Sequence, residues 1–330
     1  MLNLGEGTAS ASAAVQQVQR QLAHDTFALV RAPAMWNMLA ELGAKAEDVP
    51  SLSALWDDTE PQRDEHDEEV YPYKGTLASY WVLGEQADGA PAASFNATRV
   101  TRSSWPPGKV LELIDATTVH SVSFHRVHKA WPHAVEANSV VRALHKFVYE
   151  ILARPSDIQW RNNNGTGDSS GGVAETFMSA FRVRKSMAPG RFQMGDPGPE
   201  GIHSDDCDLT VVTMMQRENL AHDSGGNRVW RPEQPCGKPT VADTVNATGR
   251  LRAAPILRER FDTLIILDRE AKHEALPIAP ADAEAKAERG QCCKHGAGSA
   301  ASMARRDVLT MEVVRGVRQH VAVCEGGMPS

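Results

Sequence analysis

A histidine and a carboxylate stand two residues apart at His203 and Asp205, in the stretch Pro199-Glu200-Gly201-Ile202-His203-Ser204-Asp205, shortly before the apolar run 209–215. On a β-strand, residues i and i+2 face the same side, so the pair can close on one metal ion from one edge of a sheet. Two histidines and one carboxylate, with the opposite coordination positions left open, suit a non-haem ferrous site that activates oxygen. The His-x-Asp pair supplies two of those three ligands.

The spacing alone is weak, because a chain with 12 histidines and 42 acidic residues contains such pairs by chance. A second one, His66 and Glu68, lies inside the charged run Asp64-Glu65-His66-Asp67-Glu68-Glu69 and reads as a solvated loop. His203 differs in context: a Pro/Gly-rich approach, then a strand, then a further well-placed histidine. The third ligand is expected to be His273, which follows the apolar stretch 261–267, a strand that could lie across a barrel from the one carrying His203. His222 is the rival, but it precedes Asp223-Ser224-Gly225-Gly226 and reads as an exposed turn residue.

These side chains need a scaffold, and the pattern of apolar positions outlines one. Residues 13–24 and 34–42 read as helices, the second ended by Gly43, with a short apolar strand at 26–30 between them. Residues 50–69 form an acidic connection, and 71–83 hold aromatic and β-branched positions suited to strands. In 134–153, Val140, Val141, Leu144, Val148, Ile151 and Leu152 recur close to a helical period. A polar Gly/Asn/Ser loop at 162–172 then leads to apolar, turn-punctuated segments at 175–185, 209–216, 227–230, 261–267 and 307–314. Several such strands in one half of a chain suggest a double-sheet barrel or jelly roll, with helices from the first half packed on it. The expected class is therefore α+β, as one domain over 1–330: a helix-rich part at 1–160, a β core at 173–316, and an insertion at about 277–303 whose Ala/Lys/Glu/Gly composition suits a surface loop.

Composition narrows the function. At 330 residues the chain can bury a large core, its net charge is −7, and it has no basic stripe interleaved with aromatics, so nucleic acid is not an expected partner. Residues 1–22 lack the basic start and unbroken apolar core of a signal peptide, and no segment approaches the length of a membrane span. A soluble, cytoplasmic protein without a membrane partner is expected, and a homodimer is left open. The cysteines, Cys207, Cys236, Cys292, Cys293 and Cys324, are odd in number and lack Cys-x-x-Cys spacing, which argues against a disulfide framework or a zinc knuckle.

Taken in order, the His203 stretch, Arg217-Glu218-Asn219, Gly225-Gly226, Asp262-Thr263-Leu264, His273 and Arg306-Asp307-Val308-Leu309 resemble the bacterial 2-oxoglutarate-dependent free amino-acid dioxygenases typified by isoleucine dioxygenase. The resemblance covers about residues 175–314 well and the N-terminal half loosely. It implies a double-stranded β-helix, also called a jelly-roll or cupin-like core, holding Fe(II) through His203, Asp205 and His273. It also implies 2-oxoglutarate as cosubstrate with O2, and hydroxylation of an unactivated carbon of a free L-amino acid with release of succinate and CO2.

Arg306 matches the position that anchors the distal carboxylate of 2-oxoglutarate, a task for which the planar guanidinium fork is suited. Arg305 would point to the opposite face of the same strand. Arg182 and Arg184 share one face of their strand and are candidates for the substrate carboxylate. Glu200 or Asp206 would take the substrate ammonium or orient a ligand histidine. Asp206 stands where the family usually has glycine. Two other readings remain: the same chemistry on a carrier-bound, peptidyl or other small-molecule substrate, and a non-catalytic metal-binding β-barrel.

Overall fold

The computed structural model describes residues 10–64, 69–85, 95–100, 109–114, 124–154, 156–158, 177–188, 201–205, 207–237, 249–281 and 303–315. Four α-helices are present among these residues: α1 (Ala11–Asp25), α2 (Ala32–Glu41), α3 (Val49–Ser53) and α4 (Ser139–Ala153). The strands are β1 (Phe27–Val30), β2 (Glu60–Asp64), β3 (Glu69–Glu85), β4 (Phe95–Val100), β5 (Lys109–Ile114), β6 (Phe124–Ala130), β7 (Phe177–Ala188), β8 (Leu209–Glu218), β9 (Asn227–Trp230), β10 (Leu251–Ala253), β11 (Thr263–Ile266), β12 (Lys272–Ala275) and β13 (Ala304–Arg315). No helix among the described residues is long and apolar enough to cross a membrane.

The strands form two sheets. The large one runs β1-β11-β8-β13-β7-β3-β2-β6-β5, with β4 added on β3, and the small one runs β10-β9-β12. The pairings between these strands are antiparallel except a short parallel contact between β3 and β6. The sequence reading places helices α1, α2 and α4 and strands β1, β3, β7, β8, β9, β11 and β13 to within a few residues. It departs from the structure at 50–69, where the expected acidic connection contains α3 and β2, and at β2 to β6, which make the first half as much strand as helix. The reason is composition: β2 reads Glu-Pro-Gln-Arg-Asp, and such a strand owes its place to pairing with β3 and β6 rather than to its own apolar pattern. The loop at 162–172, the pairs His66/Glu68 and Cys292/Cys293, Cys324, and most of the 277–303 insertion lie outside the described residues.

The part of the large sheet made by β1, β8, β11 and β13 is covered on both faces. Along β8, Leu209, Val211 and Met215 belong to the core cluster shared with the helices, whereas Val212 and Met214 belong to a second cluster with Val229, Leu257 and Ala271 on the side of the small sheet. Strands β1, β11 and β13 alternate the same way, with Ala28, Ile265 and Leu309 on one side and Leu29, Leu264 and Val308 on the other. Burial on both faces is why these strands read as unbroken apolar runs.

The helical layer is fixed to the sheet by polar contacts at helix ends, where backbone groups have no intrahelical partner. Asn138 Oδ1 accepts from Val140 N and Val141 N at 3.0 and 3.2 Å and so caps α4. The buried Gln19 of α1 donates to Ile151 O at 2.8 Å near the other end of that helix. Asp262, just ahead of β11, accepts from Ala32 N at 2.9 Å at the start of α2, from Arg258 N at 2.8 Å, and pairs with Arg31 at 2.9 Å. One buried carboxylate thus ties the first helices to the C-terminal half.

His145 of α4 is fully buried, its ring 4.9 Å from that of Trp81 of β3 between centroids and tilted at 49° to it. Burial pushes its pKa down from 6.5 to about 3. A depressed histidine pKa means that the unfolded chain binds the extra proton as pH falls below about 6.5, so folding stability declines from there toward pH 3. The expected slope is about 1.4 kcal/mol per pH unit. Urea unfolding of His145→Phe between pH 7.5 and pH 5 is expected to show a shallower loss than the native chain; identical slopes would show that the histidine is not the origin.

Candidate active site

His203, Asp205 and His273 meet, half-buried, beside the small sheet, their ligand atoms all within 4.8 Å of one another. His203 and His273 face each other in an antiparallel bridge closed by two reciprocal backbone hydrogen bonds of 2.9 Å, and their rings lie 4.4 Å apart between centroids. The structure therefore makes the two histidines direct neighbours, with His273 on β12 of the small sheet. The apolar strand that precedes His273 is β11 of the large sheet, whereas His203 bridges β12 of the small one. The segment carrying His203 is short, since Gly201–His203 only bridges Gly237 and His273 and β8 begins at Leu209.

Asp205 spans the two rings. Its carboxylate oxygens lie 3.5 Å from His203 Nε2 and 3.3 Å from His273 Nε2. Separations near 3 Å are expected between ligand atoms that share one ion through bonds of about 2.1 Å, so the set fits a metal with little adjustment. Burial alone would raise the Asp205 pKa, but the hydrogen bonds and positive charge of His203 and His273 hold it well below the usual carboxylate range. For His273, burial opposes the charged form, yet Asp205 and Asp268 together outweigh it and raise its pKa to about 10. A cation is favoured at this place, whether proton or metal.

The surrounding contacts orient the rings. His203 Nδ1 lies 2.9 Å from Gly201 O, and His273 Nδ1 lies 3.1 Å from Asp268 Oδ1. In both rings Nε2 faces Asp205. Asp268 is 1% exposed, and its Oδ2 also accepts from Ser204 Oγ at 2.7 Å and Cys207 N at 3.4 Å. It thus joins the loop that holds Asp205 to the strand end that precedes His273. Sequence reasoning missed Asp268; an acid closing an apolar strand five residues before a candidate ligand was the available signal.

Arg306 is 3% exposed and reaches from β13 to the small sheet, donating from Nη2 to Asn227 Oδ1 at 3.2 Å. Arg305 points the other way, to Asp307 at 2.7 Å and Asp57 at 3.2 Å. Two quoted motifs pack on Arg306. Gly225 has φ +64, and a Cβ there would sit 2.7 Å from Ile278 Cγ2 and 3.3 Å from Arg306 Cδ, so only glycine allows the turn to lie so close. Arg217 braces the same turn, donating to Ala221 O at 3.2 Å and Ser224 O at 3.1 Å.

His222 is exposed and contacts Asp223 at 2.8 Å, away from the triad. Arg182 and Arg184 lie on β7, in register with Thr310 and Val308 of β13. Glu200 and Asp206 lie outside the described residues. Cys207 is buried, and its Sγ contacts Thr210 Oγ1 at 3.1 Å, while Cys236 is exposed.

The fold is shared with proteins of known structure. The Fe(II)/α-ketoglutarate-dependent dioxygenase TqaL is similar in fold, with a TM-score of 0.61 at 16% identity, covering 94% of this chain and 90% of that one. A bsmA homologue from Methylobium petroleophilum PM1 gives 0.58 at 14% identity over 94% and 95% of the two chains. IDO from Bacillus thuringiensis gives 0.56 at 11% identity over 95% and 100%. In sequence, 136 residues are 26% identical to the bifunctional enzyme flvA of Aspergillus flavus; the match takes in 36% of this chain and spans only 15% of that protein's length. The family model for 2OG-Fe dioxygenases matches residues 121–291, more than half of the sequence. Residues 121–291 hold the whole triad, and the chain belongs to the 2OG-Fe dioxygenase family, oxidoreductases that use Fe(II), 2-oxoglutarate and O2.

Proposed function

We propose that His203, Asp205 and His273 hold Fe(II), that Arg306 anchors the distal carboxylate of 2-oxoglutarate, and that the protein hydroxylates an unactivated carbon of a free L-amino acid. The observation that carries this reading is the closure of two histidines and one aspartate on a single point, with a buried arginine reaching in from the facing sheet. When bound, the iron supplies oxygen activation coupled to oxidative decarboxylation, with one oxygen atom entering succinate and the other the substrate. The large and small sheets facing each other across the site are read as the two sheets of a double-stranded β-helix.

The chain's own residues bind, orient and exclude water. Asp268 and the Gly201 carbonyl hold the imidazole Nδ1 atoms, presenting Nε2 to the ion. Arg306 offers a charge already removed from water, so a carboxylate arriving there recovers a charge-assisted pair. The amino-acid assignment rests on the ordered motifs described above. It is supported by the register of β7: Arg184 stands beside Val308, a member of the apolar cluster between the sheets. Arg182 or Arg184 would take the substrate carboxylate, and Glu200 or Asp206 its ammonium. A zwitterion entering a dry pocket must recover from matched charges the hydration it loses.

Ferrous-ion binding by His203→Ala, Asp205→Ala and His273→Ala is expected to fall by orders of magnitude, while His222→Ala binds normally; loss in His222→Ala with normal binding in His273→Ala would reassign the ligand. Asp268→Asn keeps the shape but removes the charge facing His273, and a drop in metal affinity on the order of 10–100-fold is expected by competition titration.

For Arg306→Ala, the 2-oxoglutarate requirement is expected to rise by the equivalent of about 2–5 kcal/mol with far less change for the amino acid. Equal weakening of both would count against the assignment. Succinate release and mass-spectrometric gain of one oxygen across a panel of free amino acids tests the substrate class. N-acylated and esterified amino acids are expected to be poor substrates, and hydroxylation of peptidyl or N-acylated residues at the same rate would replace the free amino acid by a bound one.

A further inference from the structure

Asn227 opens β9 opposite Ala275 of β12, two residues before Val229, which stands opposite His273. Strand alternation puts residues 227, 229, 273 and 275 on one face, and Val229 belongs to the apolar cluster between the two sheets. Two residues along a strand is about 7 Å, a length that a five-carbon diacid can bridge between its metal-chelating end and its far carboxylate.

The Asn227 side chain is 5% exposed, and its Oδ1 accepts from Arg306 Nη2 at 3.2 Å. That bond decides which way round the amide lies, because the opposite orientation would set NH2 against guanidinium, donor against donor. Nδ2 is then buried with no hydrogen-bond partner among the described residues. Buried amide donors are nearly always satisfied, so an unpaired one beside a buried cation points to an acceptor of negative charge.

We propose that Asn227 Nδ2 donates to the distal carboxylate of 2-oxoglutarate alongside Arg306. Its Oδ1 meanwhile grips the guanidinium, so the two side chains act as one fork. The inference rests on Arg306 being the anchor. Asparagine suits the position better than aspartate, which would neutralise Arg306 and repel the incoming anion.

The test uses the full chain loaded anaerobically with Fe(II) and titrated with 2-oxoglutarate, following the charge-transfer absorbance of the chelate. A parallel titration uses 2-oxopentanoate, which keeps the chelating end and lacks the far carboxylate. Asn227→Ala is expected to weaken 2-oxoglutarate about tenfold, the loss of one hydrogen bond to a charged group. The near-isosteric Asn227→Asp should weaken it further. Ferrous-ion affinity and 2-oxopentanoate binding should stay unchanged in both. The proposal is overturned if Asn227→Ala binds 2-oxoglutarate within about twofold of the native chain, or if 2-oxopentanoate weakens in step, which would mark a structural role. Arg306→Ala separates the two layers. If it leaves 2-oxoglutarate binding intact, the anchor fails and the asparagine assignment with it; if it weakens binding and Asn227→Ala does not, only the asparagine assignment falls.

Discussion

Two backbone hydrogen bonds between His203 and His273 carry the geometry of the site. A reciprocal antiparallel pair holds two backbones about 5.5 Å apart with both side chains on one face, so the imidazoles have no choice but to be neighbours. Asp205, two residues beyond His203, is brought within reach of both rings. Two imidazoles and a carboxylate crowded in a half-buried place would be a poor arrangement in isolation. Asp268 offsets it by adding a fully buried negative charge on the far side of His273 and by stitching the Asp205 loop in place.

The rigidity behind that pair comes from the large sheet. Because β8, β11 and β13 are buried on one face by helices and on the other by the small sheet, a one-residue slip in any of them would exchange the two apolar clusters. The register is therefore fixed, and with it the row from which Arg306 extends. Gly225, in the turn after β8, and Arg217, the β8 residue in register with Arg306, hold that turn against the arginine stem. A long flexible cation becomes a fixed one.

Much of this was legible in the sequence, and the reasons differ by element. Strands β8, β11 and β13 were readable because burial on both faces leaves continuous apolar runs, and α4 because its buried positions follow the helical period. Strands β2 and β6 were not, since Glu-Pro-Gln-Arg-Asp and Phe-His-Arg-Val-His-Lys-Ala carry no strand signature apart from their partners. In the site, His203 and Asp205 announced themselves by spacing, whereas the approach of His273 depends on a bridge between segments 70 residues apart in number. Asp268 and Asn227 are polar residues whose meaning lies in what they touch, which no local pattern states. Asp262, quoted as part of a motif, turns out to hold helix α2 and Arg31 rather than any ligand.

The tie made by Asp262 also bears on the order in which the molecule can assemble. β1 pairs with β11, and the amide of Ala32 waits for a carboxylate 230 positions later in the chain. During synthesis the apolar faces of α1 and α2 emerge well before the strand and the acid that receive them. Such non-local closure is slow, because the entropy of the intervening chain must be given up before the contacts repay it. The early segment must be kept from other apolar surfaces for that interval, which makes nascent chains truncated before residue 262 the species most exposed to aggregation.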